Sequence, residues 1–232
     1  MMMKVFNYCV WIVLMFLISV SYADNNLIYI TQSGSGLTMT IDQIGNSNKV
    51  GTSQTRATFT GTSMTVDIDS VGDSNIVAAT VAQGNSTSFT ASTTGDSNTT
   101  TITAGGTGDV ANTDFDYAAT GDSNVLTFTQ GASAAATAGN QDFSVTGTSN
   151  DINASCEVVG CINNWTVSGN SNDIDTTQTG NADHSITATI TGNSNNIDVD
   201  QTNSGGSTSG VLSLISTTSS GTIDIDQCTS GC

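Results

Sequence analysis

A single histidine, His184, stands in 232 residues. Nucleophilic catalysis needs a base held beside its nucleophile, and the chain has neither a second histidine nor a Gly-x-Ser-x-Gly elbow. Asp-x-Asp pairs occur at Asp67/Asp69, Asp198/Asp200 and Asp224/Asp226. Such pairs suit glycosidic general acid and base work or calcium ligation. Here they recur at alternate positions of many similar segments, as on a solvated face, and the Gly-Gly-x-Gly-x-Asp run of calcium β-rolls is absent. Cysteines form two close pairs, Cys156/Cys161 and Cys228/Cys232. Zinc is one reading of such pairs, but they lie far apart in sequence and lack supporting histidines, so two local disulfides are predicted. The sequence thus points to a protein that is not an enzyme and that needs no cofactor or metal.

The first 23 residues read as an address. Lys4 precedes an apolar run at 10–20, and Ser21, Tyr22 and Ala23 make a small-x-small cleavage pattern. A secretory signal peptide is therefore expected at 1–23, and the run is too short for a membrane span. Beyond it, Lys49 and Arg56 face 20 acidic residues, a balance that repels nucleic acid and anionic lipid. Export also supplies the oxidising conditions that the predicted Cys156–Cys161 and Cys228–Cys232 bridges need.

Internal repetition is the dominant signal. Gly-Asn/Asp-Ser-Asn occurs at 45–48, 72–75, 95–98, 121–124, 169–172 and 192–195, with Gly-Thr-Ser-Asn at 147–150. Successive glycines are 27, 23, 26, 26, 22 and 23 residues apart, the length of one solenoid coil. Aligned on that glycine, the third following residue is always Asn: Asn48, Asn75, Asn98, Asn124, Asn150, Asn172 and Asn195. The fifth is mostly aliphatic, and the ninth is often Gln, at Gln54, Gln130, Gln178 and Gln201. Period-two alternation runs on both sides of the glycine, with Ile41, Ile68, Tyr117, Phe143 and Trp165 among the apolar positions before it.

Each repeat therefore supplies two strands joined by a glycine turn, and no repeat can bury its apolar face alone. Stacking coils about 4.8 Å apart sets each column on itself, so that inward amides bond to amides of the next coil. The fold class that follows is all-β, a β-solenoid of about seven to eight two-stranded coils forming one domain over 24–232. The absence of proline fits, since each backbone N–H is needed by a neighbouring coil. Residues 204–221 lack the repeat marks and are expected to form a long loop or irregular coil before register returns at 223–227. Thr-x-Thr pairs suggest ice binding, but by sequence spacing they fail to stack in one column on every coil.

Residues 43–54, QIGNSNKVGTSQ, resemble the curlin repeat, with Gln43, Gly45, Asn48, Val50 and Gln54 in its slots. The Asn-to-Gln half recurs at 124–130, 172–178 and 195–201, and a degenerate pattern covers 37–227. The resemblance implies a curli-type functional amyloid: an extracellular fibre subunit that joins itself end to end, is exported through an outer-membrane pore, meets a nucleator, and serves adhesion or biofilm matrix. A solenoid surface or viral fibre that never polymerises is the alternative, with ice- or calcium-binding solenoids behind it. For end-to-end joining, the strands near 27–32 and 223–227 are the expected edges.

Overall fold

The structure is a computed structural model that describes residues 25–83, 85–105, 111–131, 137–180, 184–203 and 210–228. The signal peptide expected at 1–23 lies outside these residues, as does Cys232. Among the described residues every element is a strand, and every strand pairing is parallel. The chain winds as a parallel β-solenoid of about seven turns.

Strands before the glycine stack as one sheet: β3 (Thr38–Ile44), β6 (Thr65–Val71), β8 (Ser88–Thr94), β10 (Thr113–Thr120), β12 (Thr137–Thr146) and β14 (Val159–Ser168). Strands after it stack as the other: β1 (Asn25–Ile28), β4 (Ser47–Val50), β7 (Ser74–Gln83), β9 (Ser97–Ala104), β11 (Ser123–Gln130), β13 (Ser149–Cys156) and β15 (Ser171–Gly180). Two short strands, β2 (Thr31–Ser33) and β5 (Ala57–Thr60), continue the second sheet. The last two strands, β16 (Ser185–Asn203) and β17 (Val211–Cys228), each run through both sheets.

The glycine turns are set by close approach between coils. A Cβ on Gly95 would fall 1.5 Å from the carbonyl oxygen of Gly72, and one on Gly121 1.7 Å from that of Gly95. No side chain fits there, which explains the residue type at the turn. Between the sheets, aromatic side chains from both meet: Phe115 and Phe128 have ring centroids 5.0 Å apart, and Phe128 and Phe143 5.5 Å apart. Edge-on and offset contacts of this kind add to area burial in holding the sheets face to face.

Two expectations are corrected. Gln54 is exposed, in a turn closed by Thr52 N–H donating to Thr55 O at 2.7 Å. Val50 pairs with Val77 while Ala57 pairs with Ala79, so the chain bulges outward between them and Phe59 takes the column in place of Gln54. Gly51, at φ +70°, starts the bulge. The second correction is at the C-terminal end. Residues 211–221 form no loop but pair with β16 in unbroken register, Ser185 with Val211 through to Asn195 with Gly221. Thr218 stands where the coil below has Gly192, and the exchange of both repeat marks hid the coil from sequence reading.

Candidate functional site: the amide ladders and the ends of the stack

All seven predicted asparagines are buried in one inward column. Each Nδ2 donates to the Oδ1 of the next coil: Asn48 to Asn75 at 3.1 Å, Asn75 to Asn98 at 2.8 Å, Asn98 to Asn124 at 2.8 Å, and Asn124 to Asn150 at 2.9 Å. Asn150 to Asn172 at 2.7 Å and Asn172 to Asn195 at 2.8 Å complete the run. The same nitrogens reach turn carbonyls, as Asn75 does to Gly72 O at 3.0 Å and Thr94 O at 2.9 Å. Burial without these partners would cost each amide its hydration. The ladder has one member more than the repeat predicts, since Asn26 donates to Asn48 at 2.9 Å. No Gly-x-x precedes Asn26, so the motif did not mark it. At the other end Gly221 replaces the amide, and Asn195 donates instead to Ser216 Oγ at 3.3 Å.

The glutamine column is broken. Gln227 donates to Gln201 at 2.6 Å and Gln201 to Gln178 at 2.8 Å, but Cys156 separates Gln178 from Gln130. Gln130 instead accepts from Gln141 of the facing sheet at 2.8 Å. Gln43 is buried and donates to Lys49 O at 3.4 Å, outside the ladder. Cys156 and Cys161 are disulfide-bonded across the corner between β13 and β14. Cys228 is also disulfide-bonded.

Outward columns carry the charge. Asp175, Asp198 and Asp224 stack on consecutive coils, and Asp200 stacks on Asp226 beside them. Burial, then the carboxylates of Asp198, Asp226, Asp175 and Asp224, raises the Asp200 carboxyl above its ordinary value. Asp67 is raised in the same way by burial and by Asp69 and Asp42. Among the described residues no cluster of three or more His, Cys, Asp or Glu is arranged to hold a metal ion, and no helix is long and apolar enough to cross a membrane. His184 is buried at the start of β16, where its carbonyl accepts from Val211 N–H.

The threonine expectation also changes. The bulge at 52–56 brings Thr58 into line, so Thr31, Thr58, Thr80, Thr103, Thr129, Ser155 and Thr177 form one hydroxyl rank. Asp200 and Asp226 end it, the neighbouring column is mixed, and the Arg56 guanidinium donates to Thr103 Oγ1 across it.

No family model, curated protein or solved structure matches the chain. The functional reading rests on the geometry of the two ends. At one, β17 pairs only with β16 among the described strands, and the inward-column residues Ile223 and Ile225 are 46% and 42% exposed. Their counterparts one coil below, Ile197 and Val199, are buried. At the other, β1 pairs only with β4 and β2 only with β5 among the described strands, leaving Ile28 and Ile30 half-buried.

Proposed function

We propose that the mature chain is a secreted extracellular fibre subunit that polymerises by stacking end to end, a curli-like assembly serving adhesion or biofilm matrix. The observation that carries this reading is the match between the open ends. Following the columns through the stack, Ile223 falls in line with Ile28, Ile225 with Ile30, and Gln227 with Gln32. A second copy set on β17 through its β1 and β2 edge would cover both isoleucines, add a Gln pair and supply partners for a row of free N–H and C=O groups. Solenoids that stay single close their ends with polar capping repeats, and the exposed Ile223 and Ile225 are the opposite of a cap.

Charge supports the same polarity. Lys49 and Arg56, the two cations of the described residues, lie beside the β1 end. The β17 end carries Asp198, Asp200, Asp224 and Asp226. In the stacked arrangement Asp224 meets Tyr29 and Asp226 meets Thr31, so no carboxylate faces another across the junction.

The test is a seeded assembly time course on the mature chain, followed by thioflavin fluorescence and electron microscopy. Fibres are expected from the wild type, with Ile225→Lys and Ile30→Lys each stopping growth. A wild type that stays a folded single chain under all conditions sinks the reading and leaves a non-polymerising surface fibre in its place.

A further inference from the structure

We infer that the stacked outward aspartates of the last coils act as a proton-operated latch on β17, holding it loosely when ionised and docking it firmly when protonated. The geometry is that of an in-register parallel sheet, which places identical positions about 4.8 Å apart. Asp224 sits over Asp198 and Asp175, and Asp226 over Asp200. Like charges directly opposite on adjacent strands oppose pairing. Within a strand the two columns are two residues apart on the same face, so Asp200 is surrounded by the other four.

No cation offsets them. β15, β16 and β17 carry no Lys or Arg, and Lys49 and Arg56 belong to the opposite end of the stack. Asp173 also faces outward on β15, but Asn196 donates to its Oδ1 at 2.8 Å. His184 is buried at the start of β16, and Cys228, being disulfide-bonded, does not titrate.

The coil on which this repulsion falls is an end coil. Among the described strands β17 has one neighbour where the inner coils have two, and its side chains are exposed along most of its length. Asp200, raised by burial and by its neighbours, sets the direction of the response. A carboxyl whose value is higher in the docked state favours docking below the ordinary carboxylate range, and that contribution is lost as pH rises through the raised value. The consequence for growth rests on the fibre reading, since β17 is the stacking edge there. The latch itself is a property of the single chain.

The experiment is hydrogen exchange by mass spectrometry on the single-chain fraction from size exclusion. Protection in 220–228 is followed from about pH 7 to about pH 4 and corrected for intrinsic exchange. Protection there is expected to rise roughly tenfold as pH falls and proton uptake drives docking, with 97–104 in β9 changing little. Asp200→Asn with Asp226→Asn should give higher protection at neutral pH and a shallower profile, with Asp175, Asp198 and Asp224 still stacked. High salt should move the unsubstituted chain the same way. A β17 profile as flat as that of β9, or a doubly substituted chain that keeps the wild-type profile, overturns the latch. A chain that passes yet never forms fibres keeps the latch and loses the proposed function. Fibres from a chain with a flat β17 profile do the reverse.

Discussion

Asn98 Nδ2 donates to Asn124 Oδ1 one coil on at 2.8 Å, and the same nitrogen lies 3.1 Å from Gly95 O and 3.2 Å from Thr120 O. A single amide thus ties its own turn, the next turn and the next amide together in a buried position.

Replacing Asn124 by Ala should therefore cost about 3 kcal/mol, since it removes the bond from Asn98 and takes from the buried Asn150 Oδ1 and from Gly121 O the donor that Asn124 Nδ2 supplies. Asn124→Asp should be comparably damaging, because a carboxylate accepts from Asn98 but has nothing to donate to Asn150. Denaturant unfolding measures both, and a loss under about 1 kcal/mol for either would mean the ladder is not a principal support.

The turn glycines separate close approach from conformation. Gly121→Ala puts a methyl against Gly95 O and should cost about 3 kcal/mol or more, or abolish soluble expression. Gly36→Ala meets nothing within 4 Å and should cost only about 1 kcal/mol, from its φ of +70°. Thermal melts of the two variants provide the comparison.

Gln54 and Gln201 fill equivalent slots of the repeat but differ in surroundings. Gln54→Ala should stay within about 0.5 kcal/mol of wild type, as the side chain is exposed in the bulge. Gln201→Ala should cost about 2 kcal/mol, through the lost bonds to Gln178 and Gln227. Equal effects in chemical denaturation would contradict the placement of the bulge.

Opening the Cys156–Cys161 bridge, by Ser substitution at both positions, should cost about 2 kcal/mol, the amount expected for so short a closed loop. Peptide mass mapping should recover the pair intact from exported protein. Free thiols, or a cross-pair with Cys228, would contradict the assignment.

Tyr117 supplies an alkaline signature. Burial pushes its phenol above the ordinary tyrosine value, only partly opposed by the Thr93 hydroxyl, which lies 3.4 Å from the phenol oxygen. A value raised in the folded state contributes stability that is complete below about pH 10 and lost as pH rises through the raised value. Tyrosinate absorbance should show Tyr117 ionising only together with loss of β-structure. Ionisation of Tyr117 while the β-structure is intact would place it in solvent.

The sequence by itself determined the coil, the inward asparagine column and the parallel all-β class, because alternation and glycine turns are local and repeat seven times. Tertiary structure decided which residue completes each column. A surface bulge adds little closure cost, so the motif could not reveal that residues 52–56 leave the stack and pass the column from Gln54 to Phe59. That same bulge lined up the hydroxyl rank through Thr58. At the ends the marks themselves change. Asn26 joins the ladder without a glycine before it, and β17 keeps register with Thr218 and Gly221 in place of Gly and Asn. Register between coils is fixed by backbone hydrogen bonds to residues more than 20 positions away. Only those bonds settled that Asp224 lies over Asp198, and that the last coil ends in exposed isoleucines.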